Sequence, residues 1–166
     1  YDNEFIYISA KMYDSAPPDK WIATHRMHHA FTDTDKDPHS IRPGFWWAQI
    51  GWVVWGTAQD HDEATMKKYV PDLLRDKGHV MISRYFYLPI IMSAVLLFAI
   101  GGWSMVVWGV FLRVVIGWHT TWFVNSLAHI YGQRPHDTGD MSTNNWFVAL
   151  LTFGEGWHNN HHADPR

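Results

Sequence analysis

Two short stretches hold six of the chain's 12 histidines: HRMHH, with His25, His28 and His29, and HNNHH, with His158, His161 and His162. Both place imidazoles at i, i+3 and i+4, positions that share one face of a helix. Neutral imidazole is a ligand for iron, zinc, copper and nickel, and six are more than one tetrahedral ion requires. The repeat therefore points to a metal centre, with zinc storage, adventitious binding and a pH-sensing cluster as alternatives. A seventh candidate is His129 in HTTWFVNSLAHIYG, four residues after Asn125. It ends an apolar stretch, where an ionisable side chain left in lipid is costly and so is a functional candidate.

Other polar groups carry less. Asp33, Asp35 and Asp37 imitate the start of a calcium loop, but Pro38 occupies the required glycine position and Gly44 the terminal glutamate position. His39, His61, His79, His119 and His136 have no partner pattern and are read as non-ligands, while Glu155 could accept a hydrogen bond from a ligand imidazole. The absence of cysteine excludes disulfides, thiolate metal sites and a cysteine nucleophile. A net charge of −3 gives no basic field and no argument for nucleic-acid binding.

The positioning elements follow from the same sequence. Pro17 and Pro18 stop any helix before them, Trp21 to Ala30 can be helical, and Thr32 to Gly44 is a polar loop. GFWWAQIGWVVWG, Gly44 to Gly56, has four tryptophans in thirteen residues, as segments at a membrane interface do. Thr57 to Arg84 is a polar connector with Lys67, Lys68, Arg75, Lys77 and Arg84, and Pro71 is placed to open a short helix. Tyr85 to Leu112 then runs 28 residues without a charge.

One straight helix of that length would overshoot a hydrocarbon core of roughly 30 Å, and Gly101-Gly102 offers a break. Two transmembrane spans are expected, about Tyr85 to Ile100 and about Trp103 to Ile130, the second interrupted by Arg113 and His119. Two crossings return the chain to the side it left, so both histidine clusters share one compartment. The basic connector makes that side cytoplasmic.

WIATHRMHHAFTDTDKDPHS, GFWWAQIGW, PDLLRD, HTTWFVNSLAHIYG and GEGWHNNHH together resemble the membrane fatty acid desaturases, in the branch with Δ9 acyl-CoA and acyl-lipid enzymes. The resemblance covers nearly everything from Pro18 onward. It implies an all-α integral membrane helical bundle with a cytoplasmic histidine-rich helical cap. One desaturase domain would span residues 1–166: 1–16 as the remnant of a transmembrane helix, 17–84 as cap, 85–130 as two complete transmembrane helices, and 131–166 as cap with the third histidine box.

The resemblance also implies a centre of two iron ions. His25, His28 and His29 match the second histidine box, His158, His161 and His162 the third, and His129 the extra ligand, while Asn125 matches an asparagine that reaches the metal through water. The implied reaction introduces a cis double bond, at Δ9, into a long acyl chain using O2 and two electrons. The substrate would be linked to CoA, a carrier protein or a lipid, the electron donor a ferredoxin or cytochrome b5, and the setting a lipid bilayer.

Two departures from the family pattern stand out. The first histidine box, HxxxxH, is expected upstream of Tyr1, so the 166 residues alone are expected to be inactive. Gln49 stands in GFWWAQIGW where many relatives have histidine. The competing readings are another membrane di-iron hydroxylase or ketolase, and a non-enzymatic membrane metal-binding protein.

Overall fold

A computed structural model describes residues 17–56 and 60–165; the segment expected to be a helix remnant, 1–16, lies outside the described residues. All the regular elements described are helical. In chain order they are α1 (Pro18–Phe31), a π-helical turn (Trp47–Gly51) running into α2 (Trp52–Val54), α3 (Glu63–Tyr69), α4 (Pro71–Arg75) and α5 (Lys77–Arg84). Then come α6 (Leu88–Val106), a π-helical stretch (Val107–Leu112), α7 (Arg113–Asn125), a 3-10 turn (Leu127–His129), α8 (Trp146–Leu151) and α9 (His158–Ala163). The chain divides into two compact units, one holding the described residues up to Ala23 with Asp62–Trp118, the other Thr24–His61 with His119–Arg166.

In the first unit, local chemistry starts each short helix. Asp62 accepts from the Thr65 N–H at 2.7 Å to cap α3, Pro71 opens α4, and Asp76 accepts from the Gly78 and His79 N–H groups to cap α5. Pro18 likewise serves as the first residue of α1, so the proline pair that ends any preceding helix also begins this one. The helices close over a small core of Ile22, Ala23, Met66, Val70 and Leu73, flanked by Trp21 and Tyr69.

The apolar segment breaks where its glycines allow. Gly102 has φ 65° and ψ −156°, a combination open essentially to glycine alone, and Gly101 is also non-helical. Beyond the break the chain doubles back: a Cβ on Gly109 would stand 2.6 Å from Leu97 Cδ1. Residues twelve apart in an unbroken helix are about 18 Å apart along its axis. The stretch Leu88–His129 is long and apolar enough to cross a membrane by length and composition, and almost none of its apolar window is buried. Met92, Val95, Ile100 and Trp103 are among its most exposed side chains.

The second unit is held by polar groups as much as by apolar ones. Asn145 caps α8 by accepting from the Phe147 and Val148 N–H groups. The two asparagines of HNNHH fasten α9 to the preceding loop. Asn160 exchanges hydrogen bonds with Asn144, and buried Asn159 accepts from the His136 N–H and donates to the His136 carbonyl. Gly156 lies against the backbone of α8, where a Cβ would be 2.0 Å from Ala149 N.

Candidate metal centre

The first half of the site comes from α1, whose helical spacing presents His25, His28 and His29 together. The second comes from α9, and His129 is delivered by the 3-10 turn that ends α7. These seven histidines, all within the second unit, fall into two groups. His25, His29 and His161 are half-buried, and their Nε2 atoms are 3.1 Å (His29–His25), 2.9 Å (His29–His161) and 3.3 Å (His161–His25) apart. His28, His129, His158 and His162 form the other, with Nε2–Nε2 distances of 3.3 Å (His28–His162) and 3.0 Å (His158–His129). Each group has all its candidate ligand atoms within 4.8 Å of one another.

Carboxylates decide where the protons lie. His28 Nδ1 is 2.8 Å from Asp37 Oδ2, His129 Nδ1 is 3.2 Å from Asp33 Oδ2, and His162 Nδ1 is 2.8 Å from Asp140 Oδ2. A neutral imidazole has one N–H, and a carboxylate beside Nδ1 keeps it there. The Nε2 atoms of His28 and His162 then face each other as two bare lone pairs, a contact that neutral imidazoles cannot turn into a hydrogen bond. A shared cation resolves it: two nitrogens about 2.0–2.1 Å from one tetrahedral ion stand about 3.4 Å apart. The donor set thus fits a metal of the imidazole-binding class.

The electrostatics agree. Burial first, then the neighbouring imidazoles, push His25, His28 and His158 well below the ordinary histidine value. Burial lowers His29 to about 3, aided by His162 and His161, and lowers His162 to about 4 although Asp140 pulls the other way. These imidazoles are neutral at physiological pH, as ligands must be. Burial alone would raise Asp33, but the His129 hydrogen bond and the Met141 N–H, at 2.7 Å, hold it low. Asp140 is held well below the carboxylate range by Ser142 and Thr138 against the cost of burial. Burial lifts Asp37 to about 6, which still leaves it ionised at neutral pH.

All seven expected histidines therefore meet in two adjacent groups. Asn125 is half-buried at the end of α7 and makes no side-chain hydrogen bond among the described residues. The aspartates are the residues the sequence reading passed over. Asp33 and Asp37 each hydrogen-bond an imidazole of the cluster, His129 and His28 respectively. The turn that carries them starts with Asp33 in the left-handed region (φ 58°), which aspartate tolerates, and Asp37 accepts the Asp33 N–H at 2.9 Å. Their signal was position, four and eight residues after His29 near the end of α1.

His39, whose spacing marks it as a non-ligand, is buried with its ring 4.4 Å from that of His28. His61 bonds Thr24, His79 packs on the Asp76 cap, and His119 meets Gln49.

The family model described as fatty acid desaturase matches residues 3–166. The chain is 45% identical over 159 residues to an sn-1 stearoyl-lipid 9-desaturase of Anabaena variabilis, covering 96% of this chain and 57% of the relative. It is 49% identical over 146 residues to an sn-2 palmitoyl-lipid 9-desaturase of Nostoc sp. (strain 36), covering 87% and 51%. An acyl-CoA 5-desaturase of Anemone leveillei is 47% identical over 143 residues, covering 86% and 44%. The chain spans about half the length of these curated relatives.

Proposed function

From the premise that the chain belongs to the fatty acid desaturase family, we propose that its seven clustered histidines hold two iron ions in an enzyme that desaturates a long acyl chain at Δ9. The observation that carries this reading is the convergence of imidazole Nε2 atoms, three of them on rings whose Nδ1 faces an aspartate. Bound iron would supply the oxidising chemistry with O2, because no side chain can take hydrogen from an unactivated methylene.

The protein's own residues do the remaining work. His28, His129, His158 and His162 bind one ion, and Asp37, Asp33 and Asp140 keep the Nδ1 protons of His28, His129 and His162 away from it. His25, His29 and His161 would bind the second; being only partly buried, this group has room for further donors. Asn125, one helical turn before His129, would act on the same centre through water.

The lipid names of the 9-desaturase relatives favour a lipid-linked acyl substrate over a CoA ester. The exposed apolar surface from Leu88 onward suits a bilayer, with two crossings on either side of Gly102 and the histidines on the cytoplasmic face. Electrons would come from a separate donor such as a ferredoxin or cytochrome b5.

Expression of the full-length protein in a host without Δ9 desaturation, with fatty acid analysis by mass spectrometry, tests the proposal. New cis-Δ9 alkenes are expected. Hydroxy or keto acids without alkenes would assign the chain to a different membrane di-iron oxidase, and no change in the acyl chains would leave a metal-binding protein.

A further inference from the structure

Gln49 is a buried polar residue that none of the metal chemistry above requires. It lies in the π-helical turn Trp47–Gly51, a geometry frequent at functional positions, and is 2% exposed. Its amide is fully engaged: the NH2 donates to the His119 carbonyl at 3.1 Å and lies 3.2 Å from His119 Nδ1, and Oε1 accepts from the Ser126 hydroxyl. Reversing the amide would set its oxygen against the His119 carbonyl and its NH2 against Ser126, so the network fixes its orientation.

Both contacts fall on the closing turns of α7. Ser126, with no exposed surface, also donates its backbone N–H to the Trp122 carbonyl at 3.1 Å. It is the residue at which the α-helix, ending at Asn125, tightens into the 3-10 turn that carries His129. His119 and Ser126 are seven apart, two helical turns on one face. Side chains lean toward the helix N-terminus and carbonyls toward its C-terminus, so one amide can reach both. Three residues later His129 sets its Nε2 3.0 Å from that of His158.

We propose that Gln49 is a positioning residue for His129. By gripping α7 through His119 and Ser126 it sets where the 3-10 turn begins, and hence the depth and rotation at which His129 meets His158. This inference rests on reading the four-histidine group as a metal site, and it predicts an asymmetric effect. Loss of Gln49 disturbs the group containing His129 and spares the group of His25, His29 and His161.

The test uses full-length protein loaded with cobalt(II) as a spectroscopic probe, comparing wild type, Gln49→Leu, Gln49→His and Ser126→Ala. Gln49→Leu is expected to weaken one of the two bound ions about tenfold or more, on the scale of outer-partner losses, and to change only that ion's absorption bands. Gln49→His, which keeps one donor and one acceptor at similar reach, is expected to restore it. Ser126→Ala, the smaller change, is expected to shift the same ion less.

If Gln49→Leu and Ser126→Ala bind both ions as wild type does, the proposal is overturned. It is overturned equally if both ions weaken together with the melting temperature, the mark of a merely structural role. A wild-type protein that takes up no ion at the four-histidine group would instead defeat the proposed function itself.

Discussion

Asp37→Asn separates orientation of a metal ligand from ordinary structural support. The Asp37 carboxylate is fully buried and accepts three N–H groups: His28 Nδ1 at 2.8 Å, the Asp33 backbone at 2.9 Å and the His39 backbone at 3.1 Å. The first two share Oδ2 and the third uses Oδ1. Asparagine has one acceptor oxygen, and the better orientation keeps it on the shared side. The His39 N–H then faces an amide NH2, which costs the metal-free protein about 1–3 kcal/mol.

The metal effect is separate. His28 loses a charged partner, and such losses weaken metal binding about 10–100-fold, or about 1.4–2.7 kcal/mol. Competition of cobalt(II) against a chelator measures the second quantity, and thermal melts with chelator present measure the first. An Asp37→Asn protein that loses stability yet holds both ions within twofold of wild type would refute the orienting role of the aspartate.

Other outcomes follow from the same geometry. Without metal, the protein should lose stability as pH falls below about 6.5. Histidines lowered to about 3 (His29) and about 4 (His162) bind protons less readily folded than unfolded, so their contribution is full above 6.5 and is lost toward those values. Each such buried histidine contributes about 1.4 kcal/mol per pH unit in that window. Asp37, raised from 3.8 to about 6, acts in the opposite sense, with stability present below 3.8 and lost as pH rises through 6, but it is one group against several. Urea denaturation across pH 4–8 checks the sign.

Gly156→Ala should destabilise by more than about 4 kcal/mol and disturb the α9 histidines, because its Cβ would meet the Ala149 backbone rather than a yielding side chain; metal content and melting temperature report it together. Gly102→Ala should cost about 1–3 kcal/mol through its φ of 65°, seen in thermal unfolding in detergent. Leu73→Ala should cost about 2–5 kcal/mol in the first unit's core and leave the metal affinity unchanged.

The histidine clustering was legible in the sequence because i, i+3, i+4 spacing is a local property that survives any tertiary arrangement. HRMHH and HNNHH could each be read alone. The break at Gly101-Gly102 was legible for a similar reason, since a glycine pair inside a charge-free run answers a length that one helix cannot use. The partners of these histidines were not. Asp140 reaches His162 from 22 residues earlier and Asp33 reaches His129 from 96 residues away, contacts set by folding and not by spacing. Asp33 and Asp37 were also hidden by a better-known pattern, the calcium loop they fail to complete. Gln49 was noticed only as a departure from relatives; its grip on His119 and Ser126 needed the fold.

The central claim is that the two histidine groups hold two iron ions. X-ray absorption at the iron edge, with metal analysis, of purified full-length protein tests it most directly. Two irons per chain in a shell dominated by imidazole nitrogen are predicted, with one iron or fewer remaining after His129→Ala. One zinc per chain, or iron content unchanged by that substitution, would contradict the account.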